Sequence, residues 1–290
     1  MKMGTKIFVP GHITGFFEII NNNDPLKKGS KGAGVVLDKG VTTHLKVGKG
    51  EDKVSVKING KKNEDNACVT KKTVDLIKNR FKLDDLVLEI EHEIEVPIGA
   101  GFGTSASGAL GTSLSLIKAL NLPLSCFQAA SIAHVAEVEM MSGLGDVIAE
   151  IMGGIVIRTR EGAPGIGRTD RIISDELYVI TKTLGKLDTA SIIDHPTLKE
   201  KISNAGKIMI QKIIENPCPE KFMDLSYKFA LETSLINDEV LEIVDIMREE
   251  TLGSSMAMLG NTAFALSKYP ESSVENVLTA KIDFKGVRFL

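Results

Sequence analysis

The sequence predicts a globular protein of mixed strands and helices whose second half is mainly helical. Residues 86–96 alternate apolar and polar side chains, which indicates a strand with one buried face. From residue 104 the apolar side chains recur at steps of three and four, which indicates a helix. Beyond residue 170 the helical period dominates, over 198–214, 220–234 and 239–250.

Composition and charge narrow the class of protein. The chain has 290 residues, 43% of them hydrophobic, and a formal net charge of −3 at pH 7. This balance excludes a generally basic nucleic-acid-binding protein, and the apolar fraction excludes disorder over most of the chain. Because no apolar run reaches about 18 residues and the first residues lack a signal core, we expect a cytoplasmic protein with no membrane partner. The three cysteines are too widely spaced for a disulfide framework or a paired metal site.

The first half is expected to alternate between strands and helices. Residues 54–58 alternate apolar and polar side chains, and Asn59-Gly60, a pair typical of a hairpin turn, follows them. Residues 161–170 contain three glycines and a proline, and they predict a boundary between a lobe of residues 1–160 and a lobe of residues 161–290. The predicted elements before that boundary are strands at 54–58, 86–96 and 155–158, and helices at 104–120, 125–141 and from the glycine turn at 142–146 to Met152.

The strongest chemical signal is the segment PIGAGFGTSASG, residues 97–108, between the strand at 86–96 and the helix that follows. Glycines at alternate positions 99, 101 and 103 let the backbone approach a ligand closely and adopt positive φ. The free N–H groups and the dipole at the start of the helix favour an anion. Thr104 and Ser105 can cap this helix or bind a phosphate or a metal. The simplest alternative is a tight turn that binds nothing.

Two familiar phosphate-binding loops do not fit this segment. A dinucleotide-binding G-x-G-x-x-G pattern would need glycine at Thr104 or Ala106, and neither is glycine. A Walker A loop would need lysine after Gly108, where Ala109 stands. The density of glycines and hydroxyl side chains nevertheless favours an anion site over an empty turn.

The segment resembles the P-x-x-x-G-L-G-S-S-A loop of the GHMP kinases, the superfamily of galactokinase, homoserine kinase and mevalonate kinase. Val9-Pro10-Gly11-His12 and Glu18 resemble the first motif of that superfamily, and LGSSMAMLG at 252–260 occupies the place of its third. On three motifs in the same order, the chain is identified as a member. The stretches PGHITGFFEI, AHVAEVEMMSGLGDV and SSMAMLGNTAFAL most resemble archaeal members that phosphorylate pantoate on the route to coenzyme A.

The resemblance implies an α+β, two-lobed GHMP kinase fold, with an N-terminal ribosomal-protein-S5-like lobe and a C-terminal α/β lobe. The active site would lie between the lobes. It also implies ATP and Mg²⁺ as cofactors and phosphoryl transfer to the primary hydroxyl of pantoate. The expected partners are therefore ATP and this small molecule, without nucleic acid, and a homodimer is the candidate assembly.

The resemblance also assigns residues on the nucleotide side. Ser105 and Glu137 would hold the metal. Glu139 competes with Glu137, but Glu137 shares a helix face with His134 and Met141, which favours it. A helix cap at Ser105 and a solvated glutamate at 137 are the alternatives. The phosphates would contact the loop at Gly99, Gly101, Gly103, Thr104, Ser105 and Ala106.

Asp146 is the implied general base, facing the hydroxyl that is phosphorylated. From its position after a glycine turn alone, it would be only the N-cap of the next helix. Mevalonate-kinase-like members carry lysine where His12 stands, and a histidine is charged only part of the time near neutral pH. The positive charge that keeps Asp146 ionised would then come from His12, His134 or a nearby arginine.

A substrate with a carboxylate requires a cation in the pocket. Arg158 and Arg160 lie two apart on a predicted strand, so the alternation places them on one face. Arginine binds a carboxylate through two parallel hydrogen bonds, and Arg158 is nearer to the turn that carries Asp146. Two solvated surface arginines are the alternative. His12, Ser30 and His134 complete the predicted substrate side.

Two other functions remain open at this stage. One is a GHMP kinase for another hydroxy acid or amino alcohol, such as homoserine or mevalonate. The other is a ligand sensor that has kept the fold and lost catalysis. The joint presence of Ser105, Glu137 and Asp146 favours a catalyst over a sensor.

Overall fold

The computed structural model describes residues 3–62, 67–185 and 196–290, which form an eight-stranded sheet, a four-stranded sheet and seven helices. The strands are β1 (Met3–Ile20), β2 (Gly29–Lys49), β3 (Lys53–Ile58), β4 (Lys61–Lys62), β5 (Leu86–Ile94), β6 (Ile155–Arg160), β7 (Arg168–Ile172), β8 (Tyr178–Gly185), β9 (Gly253–Met256), β10 (Asn261–Ser267), β11 (Leu278–Lys281) and β12 (Arg288–Phe289). The helices are α1 (Cys68–Phe81), α2 (Thr104–Ala119), α3 (Cys126–Glu139), α4 (Asp146–Met152), α5 (Pro196–Glu215), α6 (Pro219–Thr233) and α7 (Asp238–Glu250).

The first sheet is built around β1 and β2. Its strand order is β12-β1-β2-β5-β3-β4, and β6 pairs with β2 and with β7. β5 pairs with the second half of β2, over residues 41–49, whereas β6 pairs with its first half, over 32–35. The second sheet is antiparallel, in the order β11-β8-β10-β9. This mixture of sheets and helices confirms the α+β prediction.

Most predicted elements are present, with ends displaced by a few residues. The alternation in β5 buries Leu86, Leu88, Ile90 and His92 on one face, as expected. β1 and β2 were not predicted, because most of their side chains are buried on both faces and the period of two is lost. Shifts of register after Pro10 and after Thr14 disturb the pattern further.

Two separate cores include residues of the first sheet. One core packs the first half of β1 and the second half of β2 against α1, α2 and α3, with Ile7, Leu45 and Leu110 among its members. The other packs Phe16 of β1 and Ile157 of β6 against α5, α6, α7 and the second sheet. Because β1 and β2 contribute residues to both cores, they fix the first sheet relative to the helices of both cores.

The predicted lobe boundary after residue 160 stays a prediction. Strand β7 lies beyond it and pairs with β6, and β12 returns to β1 from the end of the chain. The chain therefore passes from the first sheet to the second between Ile172 and Tyr178. Within the described residues, every helix is too short or too polar to span a bilayer.

Candidate active site

The molecule contains a cavity of about 500 Å³ next to the segment predicted to bind phosphate. Its walls are the loop at 98–105, the turn at 140–146, and the segment 258–259 from the second sheet. Ser30 and Arg158 contribute side chains from the first sheet. The cavity therefore brings together the phosphate-binding loop, the turn that carries Asp146 and part of the third motif.

The phosphate-binding loop has the backbone expected of it. Gly99, Gly101 and Gly103 have φ values of 74°, 88° and 67°, a region that favours glycine. Helix α2 starts directly after Gly103, and its first backbone bond runs from the Ser107 N–H to the Gly103 carbonyl at 3.0 Å. The N–H groups of Thr104, Ser105 and Ala106 thus have no acceptor within the helix, which leaves them for an anion.

The residues from Met258 to Thr262, at the connection between β9 and β10, contact this loop and β1. The Thr262 hydroxyl donates to the Ala100 carbonyl at 2.9 Å, and the Met258 N–H donates to the Thr14 carbonyl at 2.9 Å. A Cβ on Gly260 would lie 2.1 Å from the Ala100 oxygen, so this close approach requires glycine. Gly260 of the third motif therefore packs directly against the backbone of the loop.

Ser105 and Glu137 meet at the start of α2. The Ser105 hydroxyl donates to Glu137 Oε1 at 2.7 Å, and the Ser142 hydroxyl donates to the same oxygen at 2.8 Å. Burial raises the pKa of Glu137 to about 7, against the opposite effect of these two hydrogen bonds. Glu139 points elsewhere and pairs with Lys72 at 2.7 Å. The two competing glutamates are thus separated, with Glu137 on the side of the phosphate loop.

The side-chain oxygens of Ser105 and Glu137 suit Mg²⁺, which prefers hard oxygen ligands. A bound cation would stabilise the charged form of a carboxylate whose burial now disfavours it. The described part of the chain, this site included, has no group of three His, Cys, Asp or Glu side chains that could hold a metal. That is compatible with Mg²⁺, which commonly uses one or two carboxylates together with phosphate oxygens and water.

Asp146 faces the cavity with 24% of its side chain exposed. The sequence suggested an N-cap, but Gly145 takes that position and Asp146 is the first residue of α4. Its Oδ1 accepts a hydrogen bond from His12 Nδ1 at 2.7 Å. Burial alone would raise the pKa of Asp146, but this hydrogen bond and the charge of Arg158 outweigh it, so its pKa is lowered. The carboxylate is therefore ionised at neutral pH.

His12 is completely buried behind Asp146 and does not line the cavity, so its predicted contact with a substrate stays a prediction. Its Nε2 lies 3.5 Å from Arg158 Nη1, which can only donate. Burial lowers the pKa of His12, although Asp146 acts in the opposite direction. A neutral ring that donates through Nδ1 and accepts through Nε2 fits both neighbours. His12 therefore orients Asp146, and the positive charge near it comes from Arg158.

Arg158 and Arg160 do not share a face, contrary to the prediction. The register of β6 against β7 shifts between them. Arg158 is 1% exposed and lines the cavity. Arg160 is exposed and donates to the Ile166 carbonyl. The Nε atom of Arg158 is buried and has no hydrogen-bond partner among the described residues.

Ser30 and His134 differ in their access to the cavity. Ser30 lines it, and its N–H donates to the Leu144 carbonyl at 3.0 Å. A Cβ on Gly145 would lie 2.5 Å from the Ser30 hydroxyl and 2.8 Å from Arg158 Nε, so the turn needs glycine there. His134 does not line the cavity; its Nε2 bonds to the Lys28 carbonyl at 2.9 Å. His134 thus holds the connection that leads into Ser30.

Sequence reasoning missed Ser142, which bonds to Glu137, and Glu150, which is buried one turn after Asp146. A serine inside a glycine turn could have drawn attention to the first. The four-residue step from Asp146 to Glu150 places two carboxyl groups on one face of a helix and could have indicated the second.

An anion-binding loop, two hard oxygen donors and an ionised aspartate around one cavity define a site for phosphoryl transfer. The model of the GHMP kinases N terminal domain matches residues 69–154. The pantoate kinase of Methanocaldococcus jannaschii is 39% identical over 273 residues, covering 94% of this chain and 96% of that protein. The pantoate kinase of Thermococcus kodakarensis is 36% identical over 271 residues, with 92% and 89% covered.

A solved structure, described as a phosphotransferase related to the coenzyme A biosynthesis pathway, superposes with a TM-score of 0.89. It is 33% identical, and 99% of each chain is covered. The chain therefore belongs to the GHMP kinases and is a small-molecule kinase that uses ATP. Its curated relatives named above are archaeal pantoate kinases.

Proposed function

We propose that the chain transfers the γ-phosphoryl group of ATP to the primary hydroxyl of pantoate, giving 4-phosphopantoate in archaeal coenzyme A biosynthesis. The observation that carries this proposal is the buried Arg158, which lines the cavity with an unpartnered Nε close to the ionised Asp146. A cation and a base in one cavity suit a substrate that has both a carboxylate and a hydroxyl. The identity to archaeal pantoate kinases supports the same substrate.

The phosphate loop and the metal ligands act on the nucleotide. The N–H groups at the start of α2 bind phosphate oxygens, and the glycines at 99, 101 and 103 let the chain approach them. Ser105 and Glu137 would hold Mg²⁺, which supplies positive charge against the phosphates when it is bound. Ser142 keeps the Glu137 carboxylate in place through its hydrogen bond to Oε1.

Asp146 acts as the general base for the substrate hydroxyl. The hydroxyl oxygen of the substrate bonds to the γ-phosphorus while the bond from that phosphorus to the bridging oxygen of ADP breaks. The hydroxyl proton passes to the Asp146 carboxylate, late in a loose transition state. His12 occupies Oδ1 through its hydrogen bond, which leaves Oδ2 for the proton.

Arg158 and Ser30 position the substrate. The guanidinium pairs with the carboxylate, which fixes the distance between the hydroxyl and Asp146. Ser30 contributes a hydroxyl from the same wall. His134 acts indirectly, because it holds the Lys28 carbonyl two residues before Ser30.

A coupled ADP-release assay tests this proposal, with pantoate, homoserine, mevalonate, shikimate and galactose as acceptors and Mg²⁺ present or removed with a chelator. Pantoate should give the fastest turnover, and only with Mg²⁺. ADP release with another acceptor and none with pantoate would reject the substrate. Pantoate binding without ADP release for any acceptor would indicate a sensor.

A further inference from the structure

A second buried carboxyl group, that of Glu150, lies beneath the phosphate loop and has no part in the mechanism above. Glu150 is on α4, one turn after Asp146, and is fully buried. Its Oε1 lies 2.8 Å from the Ser107 hydroxyl in the first turns of α2. A Cβ on Gly103 would lie 2.9 Å from the same oxygen. Glu150 therefore joins the helix that begins with Asp146 to the point where the phosphate loop becomes a helix.

The Ser107 hydroxyl has more possible acceptors than hydrogens. The Ser107 hydroxyl faces three oxygen atoms: Glu150 Oε1 at 2.8 Å, the Gly103 carbonyl at 3.1 Å and the Pro10 carbonyl at 3.4 Å. A serine hydroxyl has one hydrogen to donate, whereas an ionised carboxylate has none. If Glu150 is protonated, its O–H donates to Ser107, and Ser107 can donate to the Gly103 carbonyl.

The second oxygen of Glu150 favours the protonated form. Oε2 is buried and has no hydrogen-bond partner among the described residues. A charged oxygen in that state would be costly, whereas the carbonyl oxygen of a neutral acid is much less so.

The surrounding charges also disfavour an ionised Glu150. Asp146 on the same helix and Glu137 on α3 are both carboxylates, and the triphosphate would lie above Gly103. The nearby cationic or titratable groups, Arg158 on β6 and His12 on β1, are directed toward Asp146. Arg171 on β7 donates to the Phe284 carbonyl instead. Burial, followed by the charge of Asp146, raises the pKa of Glu150 well above its usual range.

We propose that Glu150 is a positioning residue that works as a neutral carboxylic acid and, through Ser107, holds the phosphate loop against the helix that carries Asp146. Its neutrality lets a carboxyl group lie under the phosphate site without repelling the nucleotide. The inference rests on the proposed function for the presence of ATP, but not on the identity of the acceptor.

Infrared difference spectroscopy tests the protonation state directly. The spectrum of the wild type minus that of Glu150→Gln should show the carbonyl stretch of a protonated carboxylic acid at neutral pH. Glu139→Gln is the matched control, because Glu139 is paired with Lys72 near the surface and should show only the loss of carboxylate bands. Carboxylate bands in place of the acid band for Glu150 would overturn the proposal.

Nucleotide binding tests the positioning role. Titration calorimetry with a non-hydrolysable ATP analogue and Mg²⁺ needs no acceptor, so its outcome is independent of whether pantoate is the substrate. Glu150→Ala should weaken binding about tenfold, the order expected for a buried hydrogen bond. Glu150→Gln can still donate to Ser107, so it should bind within about threefold of the wild type.

The double variant with Ser107→Ala completes the test. If both side chains act through one hydrogen bond, the effects of Glu150→Ala and Ser107→Ala on binding should not add. Weak binding by Glu150→Gln, additive effects, or a fall in melting temperature with unchanged nucleotide affinity would each refute the positioning role. If Glu150→Ala does not fold, the glutamine variant and the infrared spectrum still decide.

Discussion

Two buried histidines on the first sheet, His92 and His12, show how a structural cluster differs from a functional one. His92 is 3% exposed, and its two ring nitrogens lie 2.9 Å from the Thr43 hydroxyl and 3.0 Å from the Thr70 hydroxyl. Burial lowers the pKa of His92 to about 4. All groups in this cluster are uncharged at neutral pH, and both ring nitrogens are satisfied.

His12 is equally buried, but its partners are charged and lie at the wall of a cavity. Asp146 has one oxygen bound to His12 and is partly exposed, and Arg158 has a buried Nε without a partner among the described residues. Such a cluster costs stability until a ligand completes it. The incomplete hydrogen bonding, and not the presence of a buried histidine, marks the functional cluster.

The largest expected effect is that of Asp146→Asn. Asparagine keeps the size and can still accept from His12, but it loses the charge and the basicity. We expect kcat to fall at least about 10²-fold, the lower end for a positioned base. Steady-state kinetics measure the change in kcat, and thermal unfolding measures the change in melting temperature. Nearly normal turnover with a much lower melting temperature would place Asp146 with His92 as a structural residue.

Arg158 should come next, through the binding of substrate. Arg158→Ala should cost on the order of 2–5 kcal/mol in kcat/KM for pantoate if the ion pair is desolvated. Arg158→Lys should also reduce it, because lysine lacks the two-pronged geometry. The KM for ATP should change little, since the phosphate loop is a separate segment.

Arg160→Ala is the matched control for Arg158. Arg160 is exposed, so its removal should leave the KM for pantoate within about twofold of the wild type. If Arg158→Ala behaves like this control, the carboxylate is bound elsewhere.

Glu137 and Glu139 allow a comparison on one helix. Glu137→Gln should lower kcat about 10- to 100-fold and increase the Mg²⁺ concentration needed for half-maximal activity, because a metal ligand is lost. Glu139→Gln breaks only the pair with Lys72 and should change kcat less than about twofold. The reverse ranking in a magnesium titration would show that the ligand has been assigned to the wrong glutamate.

The smallest expected effect is on the free energy of unfolding. It arises at His92, whose two ring nitrogens are hydrogen-bonded to Thr43 and Thr70. The folded pKa of His92, about 4, lies below its ordinary value of 6.5, so the unfolded chain binds a proton first as the pH falls. Its contribution to stability should therefore be present above pH 6.5 and be lost toward pH 4. Between pH 7.5 and 5.5 the loss should be about 1 kcal/mol.

Urea unfolding of the wild type and of His92→Gln at the two pH values isolates this contribution, because other titrating groups are common to both proteins. The free energy of unfolding should fall more in the wild type than in the variant. If the free energy of unfolding falls equally with pH in the two proteins, the pKa of His92 is not lowered in the folded state.

Local patterns were sufficient for much of the fold and for the core of the site. The alternation at β5, the helical period of α2 and the three glycines between them appear where the sequence placed them. These three features depend on periods of two and 3.6 and on the conformational freedom of glycine, which are properties of a few neighbouring residues. Ser105 and Glu137 are also in contact, which was expected from the resemblance to the GHMP kinases and not from a local period.

Other features depend on contacts between distant segments. β1 and β2 escaped prediction because burial on both faces removes alternation. The two arginines of β6 diverge because its pairing with β7 slips between them. A strand pattern read from one segment cannot reveal a shift that arises from its neighbour.

The sequence by itself determined the mixture of strands and helices and the glycine loop before α2, because each depends on a local period or on neighbouring residues. The residue types that transfer a phosphoryl group were implied by the resemblance to the GHMP kinases. Only the tertiary structure decided that His12 stands behind Asp146, that Arg158 and not Arg160 enters the cavity, and that Glu150 lies beneath Gly103. These arrangements join residues separated by 43 to 146 positions. Burial, hydrogen-bond partners and charge at such sites are set by what the folded chain brings together, and no local period encodes them.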